Sequence, residues 1–322
     1  MLVSVIIPTY NAASFVENTL QSVLKQSYTN IEILVVDDGS TDSTQQVIES
    51  YQDPRVHFYA REHQGAPGHC RNYGYSIARG ETIIYLDSDD YMEPTMIEEM
   101  VKCYQEREVD LVICKPRYYD VVNQKVVSNE QEKFFAQDTY TLSNLFEINP
   151  FPCNKMYRKS FLQESGVLYL ERVFNQDLGY FLSLVFHKPR FTICKQELME
   201  YRIRPNSITT SSRTRKKHMD ILHVFDQVFA EYEKTKTYEL HDALEKMFIR
   251  TMLFKISFFS PLTEKENILK IRAYLYEHSP KWYTSKGFKE YYSSFKQLYN
   301  RLLVQYQLYT PIGIYKKVKR GA

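Results

Sequence analysis

Residues 81–92 read ETIIYLDSDDYM: an apolar run from Thr82 to Leu86 that ends in three carboxylates, Asp87, Asp89 and Asp90. Carboxylates this close repel one another and resist burial unless a cation or a hydrogen-bond network holds them. A solvated turn after a strand is the plainest explanation of such a cluster. What flanks the stretch decides between the two.

Upstream, the same design repeats. VSVIIP (3–8) is a β-branched run ending at Pro8, and 13–26 carries Phe15, Val16, Leu20, Val23 and Leu24 at helical spacing. IEILVV (31–36) predicts a second strand running into DDGSTD (37–42). There Gly39 permits a sharp turn, and Ser40, Thr41 or Asp42 can cap the next helix. RVHFYA (55–60) is a third strand, followed by the loop HQGAPGH (63–69) and a helix over 70–78. The strand at 82–86 is the fourth, Pro94 opens another helix, and VDLVIC (109–114) is a fifth strand. Strands separated by helices indicate an α/β fold with a mostly parallel sheet and right-handed crossovers. Ligands of such sheets bind at the carboxyl ends of the strands. Pro8-Thr9-Tyr10, Asp37-Asp38 and Asp87-Ser88-Asp89 are therefore expected to share one crevice.

Beyond 115 the pattern loosens. A strand and helix are expected in 154–169, a helix with a strand behind it in 175–193, and YRIRPNSITT (201–210) closes the region in a turn cluster. From 214 onward helical spacing dominates. This gives an α/β region over 1–210 and a mainly helical one over 211–322.

Net charge follows the same division. Residues 214–322 hold 20 Lys+Arg against 11 Asp+Glu, which leaves 21 against 28 for residues 1–213. An acidic first part and a basic second part suggest different partners. The start MLVSVIIPTYN has neither a basic region nor a small-residue cleavage site, and no apolar run approaches the roughly 18–20 residues of a membrane span. Five cysteines, none in C-x-x-C spacing, point to free thiols in a reducing compartment rather than zinc fingers or disulfides. A cytoplasmic location is expected.

The chemistry follows from residue type. Hard cations such as Mg²⁺ or Mn²⁺ take oxygen ligands, and Asp-x-Asp at a strand end offers them while leaving room for a diphosphate. Asp38 can accept hydrogen bonds from a base or ribose. Arg71 can meet a phosphate or bridge to a nearby carboxylate.

Taken together, VSVIIPTYNA, DDGSTD, GHCRNYGYSIARGETIIYLDSDDY, NKMYRKSF and YRIRPNSIT resemble family 2 glycosyltransferases with the GT-A fold, over roughly residues 1–210. The resemblance implies that Pro8, Tyr10 and Asp38 hold the base and ribose of a nucleotide sugar, usually a UDP-sugar. Arg71 would meet the nucleotide side of the donor, and Asp87, Ser88 and Asp89 would surround its diphosphate. Asp87 and Asp89 would bind the Mn²⁺ or Mg²⁺, Asp89 more directly. In FNQDLGYF, Asp177 takes the place of the general base, and Gln176 stands where the family usually has Glu. The implied reaction is a single inverting displacement by a hexosyl- or N-acetylhexosaminyltransferase. Without Gln-x-x-Arg-Trp, the chain is expected to add one sugar rather than polymerise, to a saccharide or lipid-linked saccharide of a bacterial surface glycan.

The alternative is a glycosyltransferase-like subunit that binds a partner without catalysis, favoured by Gln176 and opposed by Asp87, Asp89 and Asp177. A haloacid-dehalogenase-like phosphatase places its Asp-x-Asp in the first strand, a Rossmann dehydrogenase needs G-x-G-x-x-G, and a glycosidase needs no nucleotide pocket. His63 and His69 flank the 63–69 loop and read as ordinary loop histidines. In 281–322 nine Lys+Arg face one acidic residue, with aromatic residues at helical spacing. That predicts either peripheral contact with an anionic membrane or a helix packed on the catalytic region. No nucleic-acid motif accompanies the charge, and homo-oligomerisation stays open.

Overall fold

The first three apolar runs form β1 (Val3–Thr9), β2 (Ile31–Asp37) and β3 (Val56–Ala60), joined by α1 (Val16–Leu24) and α2 (Thr44–Glu49). α3 (Gly68–Ile77) then leads to β4 (Thr82–Tyr85). In this computed structural model, residues 1–128, 131–204, 217–256, 259, 263–282 and 285 are described. They belong to two units: 1–140 with 148–211, and 141–147 with 212–322.

In the first unit β3, β2, β1 and β4 lie side by side in parallel. Every residue of β1 and β2 is buried, as expected of a sheet with both faces covered. Strand order runs one way from β1 to β3 and the other way to β4. Their carboxyl ends therefore open a crevice at the point of reversal.

Beyond β4 the sheet departs from a purely parallel plan. β8 (Lys155–Arg158) is inserted antiparallel between β4 and β6 (Leu111–Asp120). β9 (Phe191–Ile203) runs parallel to β6, and the two-residue β5 (Tyr91–Met92) pairs antiparallel with β9. The next helix, α4 (Met96–Arg107), begins after Thr95 rather than at Pro94. β6 runs six residues past the expected end at Cys114. Its register with β9 shifts between Cys114 and Pro116, and this irregularity accommodates a proline inside a strand. β7 (Lys125–Val127) folds back on β6. The unit also holds α5 (Glu132–Phe135), α6 (Lys159–Ser165) and α7 (Gln176–Val185).

Two contacts fix α3 against the sheet. A Cβ on Gly74 would lie 2.5 Å from Ile6 Cγ2, so only glycine lets α3 approach β1 this closely. At the end of α3, buried Glu32 accepts hydrogen bonds from Ser4 Oγ (2.6 Å), Arg79 N (2.6 Å) and Gly80 N (3.2 Å), and pairs with Arg79 Nε at 2.8 Å. Burial pushes its carboxyl up, but the Ser4 and Arg79 donors outweigh this and hold it below the usual glutamate value.

The second unit carries α8 (Ile221–Thr235), α9 (His241–Ile256) and α10 (Lys265–His278). Phe225, Phe248, Met252, Ile271 and Leu275 are buried there. Trp282 is also buried, its ring edge-on to Tyr276 at 6.1 Å. No helix of the described residues is long and apolar enough to cross a membrane. Apart from Lys281, Trp282 and Ser285, the basic aromatic segment 281–322 lies outside the described residues.

Candidate active site

The loop after β1 is tied to the turn after β2. Asn11 adopts φ 46°, a conformation that asparagine tolerates better than most residues. Its N–H donates to Ser40 Oγ at 2.8 Å, and its side-chain oxygen accepts from Thr41 N at 2.8 Å. Asp37 holds the turn from below, accepting from Thr9 Oγ1 (2.9 Å) and Ser40 N (2.7 Å). Helix α2 follows Ser43, and Asp42 braces it by accepting from Thr44 N at 3.0 Å. Tyr10, held between these anchors, remains 45% exposed with its ring stacked on His63 at 4.3 Å.

Asp38 is buried and committed to the 63–69 loop. Its carboxylate accepts from Gln64 N (2.7 Å) and Gly65 N (3.0 Å) and lies 2.9 Å from His69 Nε2. His69 Nδ1 faces the Ala66 carbonyl at 2.8 Å. A carbonyl only accepts, so Nδ1 carries the hydrogen of this bond. His63 and His69 thus have structural partners, and Asp38 shapes the loop beside Tyr10 with both carboxylate oxygens engaged.

Asp87, Ser88 and Asp89 follow β4 at the strand-order reversal. The buried Arg71 of α3 donates Nη2 to Asp87, and the Tyr169 ring lies 5.2 Å from its guanidinium carbon. The carboxylate is one of the two partners that the sequence left open for Arg71. Arg71 Nε and Nη1 find no partner among the described residues. The Ser88 carbonyl accepts from Thr19 Oγ1 at 2.7 Å, which pins the loop to α1. Pro8 is buried near the end of β1, opposite Val36.

Asp90 is fully buried, its Oδ1 accepting from Arg202 N at 3.2 Å. Its Oδ2 has no conventional partner among the described residues, and the weak S–H donor of Cys153 faces the group. Burial, then Asp89 and Asp87, drive its carboxyl well above the usual range. Burial and Asp87 also raise Asp89, opposed by Arg204. Ligand oxygens of Asp87 and Asp90 and the Cys153 sulfur lie within 4.8 Å of one another. Asp89 is not in this group, whose two carboxylates are oxygen donors of the kind that a hard divalent cation takes.

Asp177 sits in the first turn of α7. Asn175 takes the N-cap position, so Asp177 is not the cap. Burial pushes its carboxyl above 3.8, Arg71 opposes this, and Asp87 adds to it. The three groups share one electrostatic neighbourhood. Gln176, beside it, is buried with its Oε1 unpartnered among the described residues. Behind the site, buried Lys155 donates to Asn149 O (2.9 Å), Phe151 O (2.7 Å) and Asn154 Oδ1 (2.9 Å), while burial pushes it down to about 7.

Two residues of this neighbourhood are missing from the sequence reading. Arg202 and Arg204, at the end of β9, reach Asp90 and Asp89 across more than a hundred positions. The only signal was the YRIRPNSIT motif itself, which marks the segment but not its partners.

A crevice of acidic and arginine side chains lies at the switch point of a mixed α/β sheet, and the sequence comparison supplies the family. The Glycosyl transferase family 2 pattern matches residues 4–166, half of the chain, and the chain belongs to that family. Glycosyltransferase GlyG of Streptococcus pneumoniae serotype 4 (strain ATCC BAA-334 / TIGR4) is 40% identical over 121 residues, 37% of this chain and 40% of that protein. Poly(ribitol-phosphate) beta-N-acetylglucosaminyltransferase TarS of Staphylococcus aureus (strain Mu50 / ATCC 700699) is 29% identical over 180 residues, 54% of this chain and 30% of TarS. The match thus spans less than half the length of either relative. The crystal structure of S. aureus TarS 1–349 in complex with UDP-GlcNAc matches 92% of both chains with a TM-score of 0.59 at 19% identity. Mannosyltransferase PcManGT from Pyrobaculum calidifontis, in complex with GDP-Man and Mn²⁺, gives a TM-score of 0.58 at 17% identity over 97% of this chain and 84% of that one. These structures establish the shared GT-A fold.

Proposed function

We propose that this chain transfers a single sugar from a UDP-sugar to a saccharide acceptor, with inversion, in the synthesis of a bacterial surface glycan. The observation that carries the proposal is the gathering of Asp87, Arg71 and Asp177 in one electrostatic neighbourhood at the end of β4. Neighbours that bind UDP-GlcNAc or GDP-Man with Mn²⁺ support a nucleotide-sugar donor and a divalent cation.

In this reading Tyr10 stacks on the base, with Pro8 and Asp38 fixing the walls on the base and ribose side. Asp87 and Asp89 hold Mn²⁺ or Mg²⁺, which when bound supplies positive charge to the leaving diphosphate. Asp177 takes the proton of an acceptor hydroxyl as that oxygen attacks the anomeric carbon. The bond from that carbon to the phosphate oxygen breaks, and UDP departs with the electron pair. Burial raises the pKa of Asp177, which makes its carboxylate a stronger base than an ordinary aspartate. Arg71, with two unpartnered N–H groups, stabilises negative charge on the departing phosphate. The catalytic region ends near residue 210, and the chain works in the cytoplasm with 281–322 resting on the anionic inner face of the membrane.

Calorimetric titration of UDP into wild type and Asp89→Ala, with and without Mn²⁺, tests this. Binding that Mn²⁺ strengthens, and that the substitution returns to its metal-free value, is expected. No UDP binding under any metal condition refutes the donor assignment.

A further inference from the structure

The charge balance of the acidic motif raises a question that the reaction above does not answer. Asp87, Asp89 and Asp90 crowd one loop, yet two of them must be ionised to hold a cation. The arrangement of arginines addresses this. Arg71 binds Asp87 through Oδ1. Arg204, at the end of β9, donates Nε to Asp89 Oδ2 at 2.6 Å. Each guanidinium bonds one carboxylate oxygen, and no hydrogen bond from either arginine takes the other.

Arg204 is also held from behind. Its guanidinium carbon lies 4.2 Å from the centre of the Phe15 ring, at the start of α1, a distance at which a cation and a ring face attract. Two residues earlier, Arg202 N donates to Asp90 Oδ1, so the end of β9 is laced to the acidic loop at two points. Arg202 is itself anchored by Glu200, at 2.9 Å, and Glu200 by Arg117, at 2.8 Å.

We propose that Arg204 is a positioning residue for the metal site: it orients Asp89 through Oδ2 and leaves Oδ1 to the cation. Carboxylates that bind metals are commonly held by such outer hydrogen bonds, and removing these partners typically weakens metal binding about 10–100-fold. The opposite arrangement, a guanidinium that occupies the cation's place and must be displaced, predicts the reverse sign. This inference rests on the metal-binding reading of Asp87 and Asp89.

The test is Mn²⁺ binding to the full chain, followed by loss of the free-ion EPR signal, alongside UDP binding with and without metal. Arg204→Ala should weaken Mn²⁺ binding about 10–100-fold and leave metal-free UDP binding at the wild-type value. Arg204→Lys should recover part of the loss, because the charge remains while the planar stack on Phe15 does not. Phe15→Leu removes the ring but keeps the ion pair, so it should shift Mn²⁺ affinity in the same direction by less; it also carries the test if Arg204→Ala fails to fold. Unchanged or tighter Mn²⁺ binding by Arg204→Ala overturns the assignment. So does loss of metal-free UDP affinity with Mn²⁺ affinity intact, which would place Arg204 on the diphosphate instead. Wild type that binds UDP but no Mn²⁺ overturns the metal site and leaves the nucleotide-sugar reading standing. Wild type that binds no UDP removes the proposed function itself.

Discussion

Gly74→Ala should destabilise the first unit by an amount that can be worked from one contact. The added methyl would sit 2.5 Å from Ile6 Cγ2, about 1 Å inside the optimal carbon–carbon distance of roughly 3.5–4.0 Å. Ile6 is fully buried and β-branched, so its methyl has no other rotamer readily available. Helix α3 must therefore lift from β1. Overpacking of this kind costs about 1–3 kcal/mol, and a 1 Å overlap belongs near the upper end. Replacing a helical glycine by alanine returns about 1 kcal/mol, so the net loss is about 2 kcal/mol. For a unit of this size that lowers the melting temperature by about 4–8 °C. Thermal unfolding by circular dichroism reads it directly. Ile6→Ala in the Gly74→Ala background should cost less than Ile6→Ala alone, because the clash disappears with the methyl. A melting temperature that stays the same or rises would show that α3 is not seated on Ile6, and would undo the placement of Arg71 one turn earlier.

Asp177→Asn should lower kcat about 10²–10⁴-fold, the usual contribution of a general base, with little change in KM for the donor. In wild type, kcat/KM should fall as pH drops through the raised Asp177 value, placing the acid limb above 3.8; a limb at or below 3.8 contradicts the burial argument. Tyr10→Ala should weaken UDP binding by about 1–3 kcal/mol if the ring stacks on the base, while its exposure leaves the melting temperature unchanged; equal UDP affinity in titration would remove Tyr10 from the site. Glu32→Ala strands the Ser4 hydroxyl and the Arg79 amide, while Gly80 N keeps Ser4 Oγ as acceptor, at about 1–3 kcal/mol for each group left unsatisfied. Because the folded-state pKa of Glu32 lies below 4.5, its contribution is full above 4.5 and is lost as pH falls through the depressed value. Urea unfolding across that range should show the loss in wild type but not in the alanine variant.

The central half of the sheet was legible because its signal is local. β1, β2 and β4 are mostly apolar runs, broken by Ser4 and Glu32, that end in Pro8, Asp37 and Asp87, with helical spacing between them. The remainder depends on pairings that a linear sequence does not display. β5 has two residues and β7 three, too few to show a period of two. The apolar run of the fifth strand closes at Cys114, yet a register shift carries β6 through Pro116 to Asp120. In the site, residue type and spacing drew attention to Asp87 and Asp89, and the family resemblance to Asp177, whereas the side chains that hold them did not emerge. Arg204 and Asp89 meet over 115 positions, and Asp38 spends its carboxylate on backbone amides whose sequence is irrelevant to the contact.

The single tryptophan has a practical consequence. Trp282 lies buried in the second unit, whereas the closely packed rings of Tyr85, Tyr157, Tyr169 and Tyr180 belong to the first. Selective excitation of indole fluorescence therefore observes the helical unit alone. Near-ultraviolet dichroism reports on both units, because Tyr232, Tyr274 and Tyr276 of the second are ring-packed as well. The indole is thus an intrinsic optical label for one unit, and denaturant curves recorded by it and by far-ultraviolet dichroism of the whole chain would coincide only if the two units unfold as one.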